Sequence, residues 1–187
     1  MKHSAVRDTI IATASDLFYR KGYKSTGINE VIREAGIAKA TLYNHFRSKG
    51  DLCLAYLQSR HASFQKDIDV FCRKEKAGKA QLLALFDFLN EFFKTENFSG
   101  CWAMKTISEI TTEDERIRGE IQSQKKDLLN FISALLRENY SDKSDTDNLR
   151  LSRQLYLLYE GAVAESHLHQ DNWPIEAAKE VCDQLLG

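Results

Sequence analysis

The chain has 187 residues, of which 43% are apolar and 28% are charged, with a formal net charge of −1. This is the composition of an ordinary soluble globular protein, long enough for one large domain or for a small domain joined to a larger one. No stretch approaches the roughly 18 uninterrupted apolar residues of a membrane span, and the polar start, MKHSAVRD, lacks the pattern of a signal peptide. We therefore expect a cytoplasmic protein without a membrane partner.

The first 48 residues have the pattern of three short helices. An apolar stripe with helical spacing opens the chain and ends at Gly22, which is a plausible C-cap. The second helix is expected to start at Thr26 as its N-cap and to stop at Gly36, where a positive φ allows a tight turn. Residues 39–46, KATLYNHF, form the third helix, and Ser48 is placed to cap the helix that follows. Two short helices joined by such a turn predict a helix-turn-helix.

The rest of the chain has the pattern of longer helices. Proline breaks helices, and this sequence contains only one. Helical patterns separated by polar breaks predict six helices, at residues 49–75, 79–96, 101–110, 115–139, 146–169 and 175–186. No segment alternates as a strand would, so we predict an all-α fold. Residues 79–96 are apolar on more than one side, which places that helix at the centre of its domain.

The third helix presents an unusual polar face. Leu42 and Phe46 lie four residues apart and anchor one side of it. The second helix of a helix-turn-helix lies in the major groove of DNA, where it needs hydrogen-bonding groups and few acids. KATLYNHF contains no acid, and its other side chains suit phosphates or base edges: Lys39, Ala40, Thr41, Tyr43, Asn44 and His45. The alternative is a connector helix whose Tyr and His cover the core.

The distribution of charge agrees with a DNA-binding first quarter. Residues 1–50 contain nine Lys and Arg against four Asp and Glu, whereas the remainder contains 17 basic and 23 acidic residues. A basic N-terminal quarter on an acidic body indicates a polyanionic partner for that quarter only. Charge blocks are also common on ordinary solvated faces, so this observation is weak alone.

The run IIATASDLFYRKGYKSTGINEVIREAGIAKATLYNHFRSKGDL resembles the N-terminal domain of the tetracycline-repressor (TetR) family. The resemblance implies a three-helix DNA-binding domain at residues 1–48 and an antiparallel helical regulatory and dimerisation domain at residues 49–187. Members are usually dimeric repressors that a small molecule releases from palindromic, double-stranded operator DNA. In the family, phosphates are typically held at the positions of Thr26, Tyr43, His45 and Lys49. Bases or nearby phosphates are faced at the positions of Lys39, Ala40, Thr41 and Asn44.

Three substitutions depart from the family pattern, and one of them is Gly50, which replaces a usual acid. Ala38 stands where the family usually has a serine that caps the third helix, and the loss of such a cap costs roughly 1 kcal/mol. Gly27 stands at a position that resembles Thr or Ser in the family, which weakens the start of the second helix. The operator sequence of a relative is therefore not transferable to this chain.

The segment SGCWAMKTISEI, residues 99–110, resembles a G-C-L-like segment of one TetR subgroup. It suggests a pocket for a small, largely apolar inducer, although each aromatic residue taken alone is more typical of the core. The expected lining residues are Phe71, Phe88, Phe92, Phe98, Cys101, Trp102, Lys105, Phe131 and Tyr159. Cys101 is either a packed thiol or a sensor thiol whose cationic neighbour is Lys105. No cofactor is expected, and no metal site is expected at His167 and His169, because residues two apart on a helix point in different directions.

The last two helices carry small and apolar residues that allow close helix packing. The resemblance implies that this pair forms a four-helix bundle with a twofold mate, although the same stripes suit an ordinary core. The expected interface residues are Leu155, Leu158, Gly161, Ala162, Glu165, Ala178, Val181 and Leu185.

Two other classes of protein compete with a transcription regulator. A small all-α enzyme is disfavoured, because the sequence has no nucleophile elbow, P-loop, H-E-x-x-H or Rossmann glycine pattern. A helical protein-interaction adaptor would keep the N-terminal module but would not bind DNA. We therefore predict a ligand-responsive regulator that is not an enzyme.

Overall fold

A computed structural model describes residues 2–95, 98–111 and 114–187, and within them it contains α-helices and no strand. The helices are α1 Lys2–Lys21, α2 Ile28–Glu34, α3 Lys39–His45, α4 Lys49–Arg73, α5 Lys79–Phe93, α6 Trp102–Glu109, α7 Glu115–Asn139, α8 Asp145–His169 and α9 Trp173–Leu186. The predicted all-α fold is confirmed. Among the described residues, none of these helices is both long and apolar enough to cross a membrane.

The chain divides into two compact units. The first unit comprises residues 1–63 and 102–123, and the second comprises residues 64–101 and 124–187. The division is based on contacts within the chain, and it groups α6 with the N-terminal helices. The expected functional boundary between residues 48 and 49 remains a prediction.

In the first unit, α1 packs on α2 and α2 packs on α3, and Phe18 of α1 meets Tyr56 of α4 with ring centroids 5.6 Å apart. The side chains of Ile10, Val31 and Leu42 are fully buried there. Gly22 and Gly36 have φ values of 96° and 64°, which confirms the two left-handed turns predicted after α1 and α2. The backbone N–H of Asp51 donates to Ser48 Oγ at 3.0 Å, so the predicted cap of α4 is also confirmed.

The prediction that Thr26 is the N-cap of α2 is wrong. The N-cap is Gly27, in extended conformation and without a side-chain hydrogen bond. Thr26 is fully buried, and its hydroxyl donates to the carbonyl of Gly22 at 2.8 Å. A Thr before a helix resembles a cap in sequence, but here the hydroxyl closes the α1–α2 loop instead. The N-cap of α3 is Ala38, and it makes no side-chain hydrogen bond, as its missing hydroxyl predicts.

In the second unit, α5 lies in the core against α8 and α9. Its residues Leu82, Ala84, Leu85 and Phe86 are fully buried, which confirms the central position predicted for this helix. The helix ends at Phe93, before the predicted end at residue 96, which lies outside the described residues. The last helix starts earlier than predicted and includes Pro174 in its first turn, where a missing N–H is tolerated.

Candidate nucleic-acid interface and regulatory centre

The polar face of α3 is directed towards solvent. Leu42 and Phe46 are buried, with 0% and 3% of their surfaces exposed, and anchor the helix as predicted. Four of the residues predicted to face DNA are exposed: Lys39, Ala40, Tyr43 and Asn44. Thr41 and His45 are half-buried at the edges of this face. The helix therefore offers an ammonium, a phenol and a carboxamide on a surface that contains no acid from α3 itself.

Three cations that the sequence did not single out extend the positive character around α3. Arg47 directly follows the helix and is exposed. The guanidinium of Arg7 lies 5.2 Å from the ring centroid of Phe46, so α1 contributes a charge beside the end of α3. Lys24 is exposed on the α1–α2 loop. The sequence alone places Arg47 beside α3, because it directly follows that helix. The positions of Arg7 and Lys24 relative to α3 depend on how the helices pack.

Lys49 is held against the α1–α2 loop. Its Nζ lies 4.4 Å from the ring centroid of Tyr23 and donates to the Lys24 carbonyl at 3.4 Å. Burial lowers the pKa of Lys49, while nearby Cys53 and Glu109 oppose that effect. Thr26 is fully buried and its hydroxyl is already bonded to backbone carbonyls. Of the four positions expected to hold phosphates, Tyr43 is therefore the most exposed.

The predicted pocket residues are distributed over both units. In the second unit, Phe71 and Phe88 form an edge-to-face pair with centroids 5.5 Å apart. Phe92 and Phe98 form another, at 5.6 Å. Phe131 is half-buried against the same core as Phe88, whereas Tyr159 is fully enclosed beside Phe86. Trp102 and Lys105 belong to the first unit.

Cys101 lies in a polar centre of the second unit. Lys125 Nζ donates to Cys101 Sγ at 3.2 Å and to both carboxylate oxygens of Glu160, at 2.7 and 2.5 Å. Burial alone lowers the pKa of Lys125, but attraction to Cys101 and Glu160 outweighs it and raises the pKa overall. The predicted partner Lys105 is wrong, because its Nζ donates to the Tyr19 carbonyl at 2.7 Å in the first unit.

The cysteines differ in their surroundings. Burial raises the pKa of Cys53, Cys72 and Cys182 to about 12, so these thiols are inert at neutral pH. Cys101 is only half-buried and has an ammonium group against its sulfur. Among the four, it is the thiol with the surroundings of a reactive group.

An exposed apolar face runs along α8 and α9. On α8, Leu157 and Leu168 are 67% and 71% exposed, and the spacing of Gly161 and Ala164 places these small residues on the same stripe. On α9, the exposed apolar side chains are Trp173, Val181 and Leu185. Trp173 packs on His169 at one end, and Leu185 lines a groove with Gln154 at the other. The two stripes therefore form one composite surface.

Part of the predicted dimer set does not lie on this face. Leu155, Ala162 and Ala178 are buried in the core of the second unit, so their side chains are unavailable to a partner. Leu158 is half-buried, whereas Gly161, Glu165, Val181 and Leu185 are exposed. The error on α8 arises because two apolar stripes run along this helix, and the sequence did not show which one the monomer uses.

Two family models match most of the chain. Residues 10–56 match the model described as bacterial regulatory proteins, tetR family. Residues 78–182 match the model described as tetracyclin repressor-like, C-terminal domain. The chain belongs to the TetR family. It is a DNA-binding transcription regulator whose activity responds to a ligand, and the resemblance seen in the sequence is confirmed.

Curated relatives and solved structures match between 78% and 98% of this chain. The repressor NemR of Escherichia coli K12 is 24% identical over 177 residues, which are 92% of this chain and 89% of NemR. The negative regulator IcaR of the biofilm operon icaADBC in Staphylococcus aureus Newman is 29% identical over 153 residues, 78% of each protein. The crystal structure of the reduced form of E. coli NemR has a TM-score of 0.88 at 21% identity, covering 98% of this chain and 97% of that one. A TetR-family regulator from Streptomyces coelicolor has a TM-score of 0.87 at 25% identity, covering 98% and 95%.

Two groups of functional candidates in this TetR-family chain were not predicted from the sequence. The α8 stripe from Leu157 to Leu168 has a helical spacing that is visible in the sequence, but a second apolar stripe on the same helix was chosen instead. Lys125 and Glu160 gave no such signal, because they come from α7 and α8 and approach Cys101 only in the folded chain.

Proposed function

We propose that this protein is a cytoplasmic repressor that binds a palindromic operator as a homodimer and leaves it when an effector acts on the second unit. It acts by occupying DNA and catalyses no reaction. Each subunit inserts α3 into the major groove of one half-site. The twofold symmetry of the dimer then matches the symmetry of the operator, with half-sites about 34–36 Å apart or a multiple of that distance.

The observation that carries this proposal is the exposed face of α3. Lys39 and Tyr43 are positioned as phosphate donors, and Asn44 is a short amide suited to base edges. Arg7 and Arg47 add positive charge beside the same helix. An adaptor would not need an acid-free helix bearing these groups, whereas DNA binding requires it.

The composite surface of α8 and α9 supports the homodimer. Large exposed apolar patches on a soluble protein mark interaction sites. Among the described residues, no atom outside the local backbone of α8 lies within 4 Å of the point that a Cβ would occupy at Gly161. The backbone of α8 is therefore open to close approach by a second helix. In a twofold contact both subunits use the same surface. The continuous apolar face of α8 and α9 is suited to such a contact.

Two features of the second unit support the effector response. The half-buried aromatic residues around Phe88 suit a small, largely apolar inducer. Cys101 suits an electrophile or oxidant, because it is half-buried and has the ammonium of Lys125 3.2 Å from its sulfur. The response through Cys101 has the more specific support, because a defined contact joins its sulfur to Lys125.

The replacements Lys39→Ala and Tyr43→Phe test the proposed α3 interface. We expect both to weaken binding to every duplex sequence by similar factors, because each removes a phosphate contact. The slope of log K against log salt should become shallower by about one unit for Lys39→Ala. Asn44→Ala should instead change which bases are preferred. Fluorescence anisotropy with labelled duplexes at several salt concentrations measures these effects.

Lys66→Ala provides the matched control, because Lys66 is an exposed lysine on α4 in the second unit. It should bind DNA as the wild type does. If Lys39→Ala behaves like Lys66→Ala, α3 is not the DNA-contacting helix. Binding that does not depend on salt would favour the protein-interaction adaptor.

A further inference from the structure

We infer that Lys105 and Glu109 of α6 are positioning residues for DNA binding, which hold the end of α1 and the α1–α2 loop in the conformation that DNA requires. Neither residue belongs to the DNA-facing surface of α3, and the family resemblance gives neither a role in DNA contact. The inference rests on the proposed DNA binding, and it concerns contacts within the first unit only.

Glu109 is bonded directly to the loop backbone. Its Oε2 accepts the N–H of Lys24 at 2.6 Å. The carboxylate also lies against Gly22, where an added Cβ would be 2.8 Å from Oε2 and closer still to Oε1. Gly22 has a φ of 96°, so glycine serves both the left-handed turn and the approach of the carboxylate. The last residue of α6 is therefore fitted to this loop.

Lys105, one turn earlier on α6, holds the end of α1. Its Nζ donates to the carbonyl of Tyr19 at 2.7 Å and approaches that of Arg20 at 3.4 Å. The last carbonyls of a helix lack partners within the helix and carry partial negative charge, so an ammonium there is favourable. Lys105 and Glu109 thus bind consecutive parts of the same segment through opposite charges.

The loop is also fixed from its other sides. Thr26 donates its buried hydroxyl to the Gly22 carbonyl at 2.8 Å, and Lys49 donates to the Lys24 carbonyl at 3.4 Å. Lys24 is therefore held at its N–H by Glu109 and at its carbonyl by Lys49. This loop leads directly into α2, which packs on α3. Its conformation thus determines where Lys24 is presented and how α2 supports the recognition helix.

Whether DNA affinity rises or falls when Glu109 is replaced distinguishes a positioning role from charge repulsion with DNA. Glu109 is an acid in the unit that binds a polyanion, so removing its charge should by itself strengthen DNA binding or leave it unchanged. If Glu109 positions the loop, its removal should weaken binding, because only the fraction of molecules with a competent loop binds. Loss of one charge-assisted hydrogen bond supports a decrease of about tenfold, equivalent to about 1.4 kcal/mol.

The experiment compares full-length variants on a duplex that the wild type binds. Glu109→Ala should weaken binding about tenfold, whereas Glu109→Gln should remain within about threefold, because its amide oxygen still accepts the Lys24 N–H. Glu115→Ala is the matched control, because Glu115 is an exposed acid of the same unit. Hydrogen exchange at the Lys24 amide should be faster in Glu109→Ala and close to wild type in Glu109→Gln.

A folded Glu109→Ala variant that binds as well as Glu115→Ala would overturn the inference. If Glu109→Ala does not fold, the DNA affinity of Lys105→Met is compared with that of Lys126→Met instead. Lys126 is an exposed lysine of α7 in the second unit. Equal DNA affinity of those two variants would overturn the inference, and weaker binding by Lys105→Met supports it. Failure of the wild type to bind any duplex would instead contradict the proposed function, so the two failures are distinguishable.

Discussion

Replacing Leu157 with arginine is expected to convert the dimer into monomers and to weaken operator binding by about a hundredfold or more. Leu157 is 67% exposed on the apolar stripe of α8. In a twofold interface the substitution introduces two cations at once, and each loses water without gaining a partner. A monomer binds only one half-site, and the loss of the second removes an avidity of about 10²–10⁴. Light scattering and anisotropy on the same samples measure both effects.

Val70→Arg is the control for this substitution. Val70 is 47% exposed on α4, so a similar apolar side chain is replaced by the same cation, but outside the α8–α9 surface. It should leave the protein dimeric. If Leu157→Arg also remains dimeric at micromolar concentration, the composite surface of α8 and α9 is not the subunit interface.

Replacing Lys125 with methionine is expected to cause the largest loss of stability among the variants considered. Lys125 and Glu160 have side chains that are only 18% and 19% exposed, so the carboxylate would remain largely buried without its cation. Breaking such a pair should lower the free energy of unfolding by about 3 kcal/mol. At this chain length the midpoint of thermal unfolding should fall by roughly 6–12 °C. Differential scanning calorimetry measures the change.

The double variant Lys125→Met/Glu160→Gln should recover part of that loss, because the buried charge is removed together with its partner. Lys126→Met alters an exposed neighbour and should unfold close to the wild-type temperature. Equal midpoints for Lys125→Met and Lys126→Met would show that the ion pair contributes little. Because the pKa of Lys125 lies above its ordinary value of 10.5, its contribution should persist through neutral pH and disappear as pH rises through that raised value.

The fold of the DNA-binding helices was predictable because local signals agree there. Gly22 and Gly36 mark left-handed turns, Ser48 caps α4, and Leu42 with Phe46 identifies the buried side of α3. Each of these signals acts within a few residues of the chain. Thr26 shows the limit of this reasoning, because a hydroxyl that bonds backwards to Gly22 and one that caps forwards occupy the same sequence position.

The regulatory half was predictable in its helices but not in its contacts. Apolar spacing placed α5 correctly in the core, because a helix that is apolar nearly all round must be buried. Lys105 was the cationic neighbour expected for a sensor role of Cys101, with a packed thiol as the alternative, but the ammonium beside the sulfur belongs to Lys125 of α7, 24 residues away along the chain. Periodicity reports which face of a helix is apolar, and it carries no information on which distant side chain approaches that face.

The most direct test of operator binding through α3 is to select DNA from a random duplex pool with the wild-type protein and to sequence what is retained. An α3-bearing dimer predicts enrichment of an inverted repeat with half-site centres about 10–10.5 base pairs apart, or a multiple of that spacing. The same selection with Asn44→Ala should yield a repeat of unchanged spacing and altered bases. Absence of any enriched sequence, or enrichment of a single unrepeated half-site, would contradict operator binding by a twofold dimer.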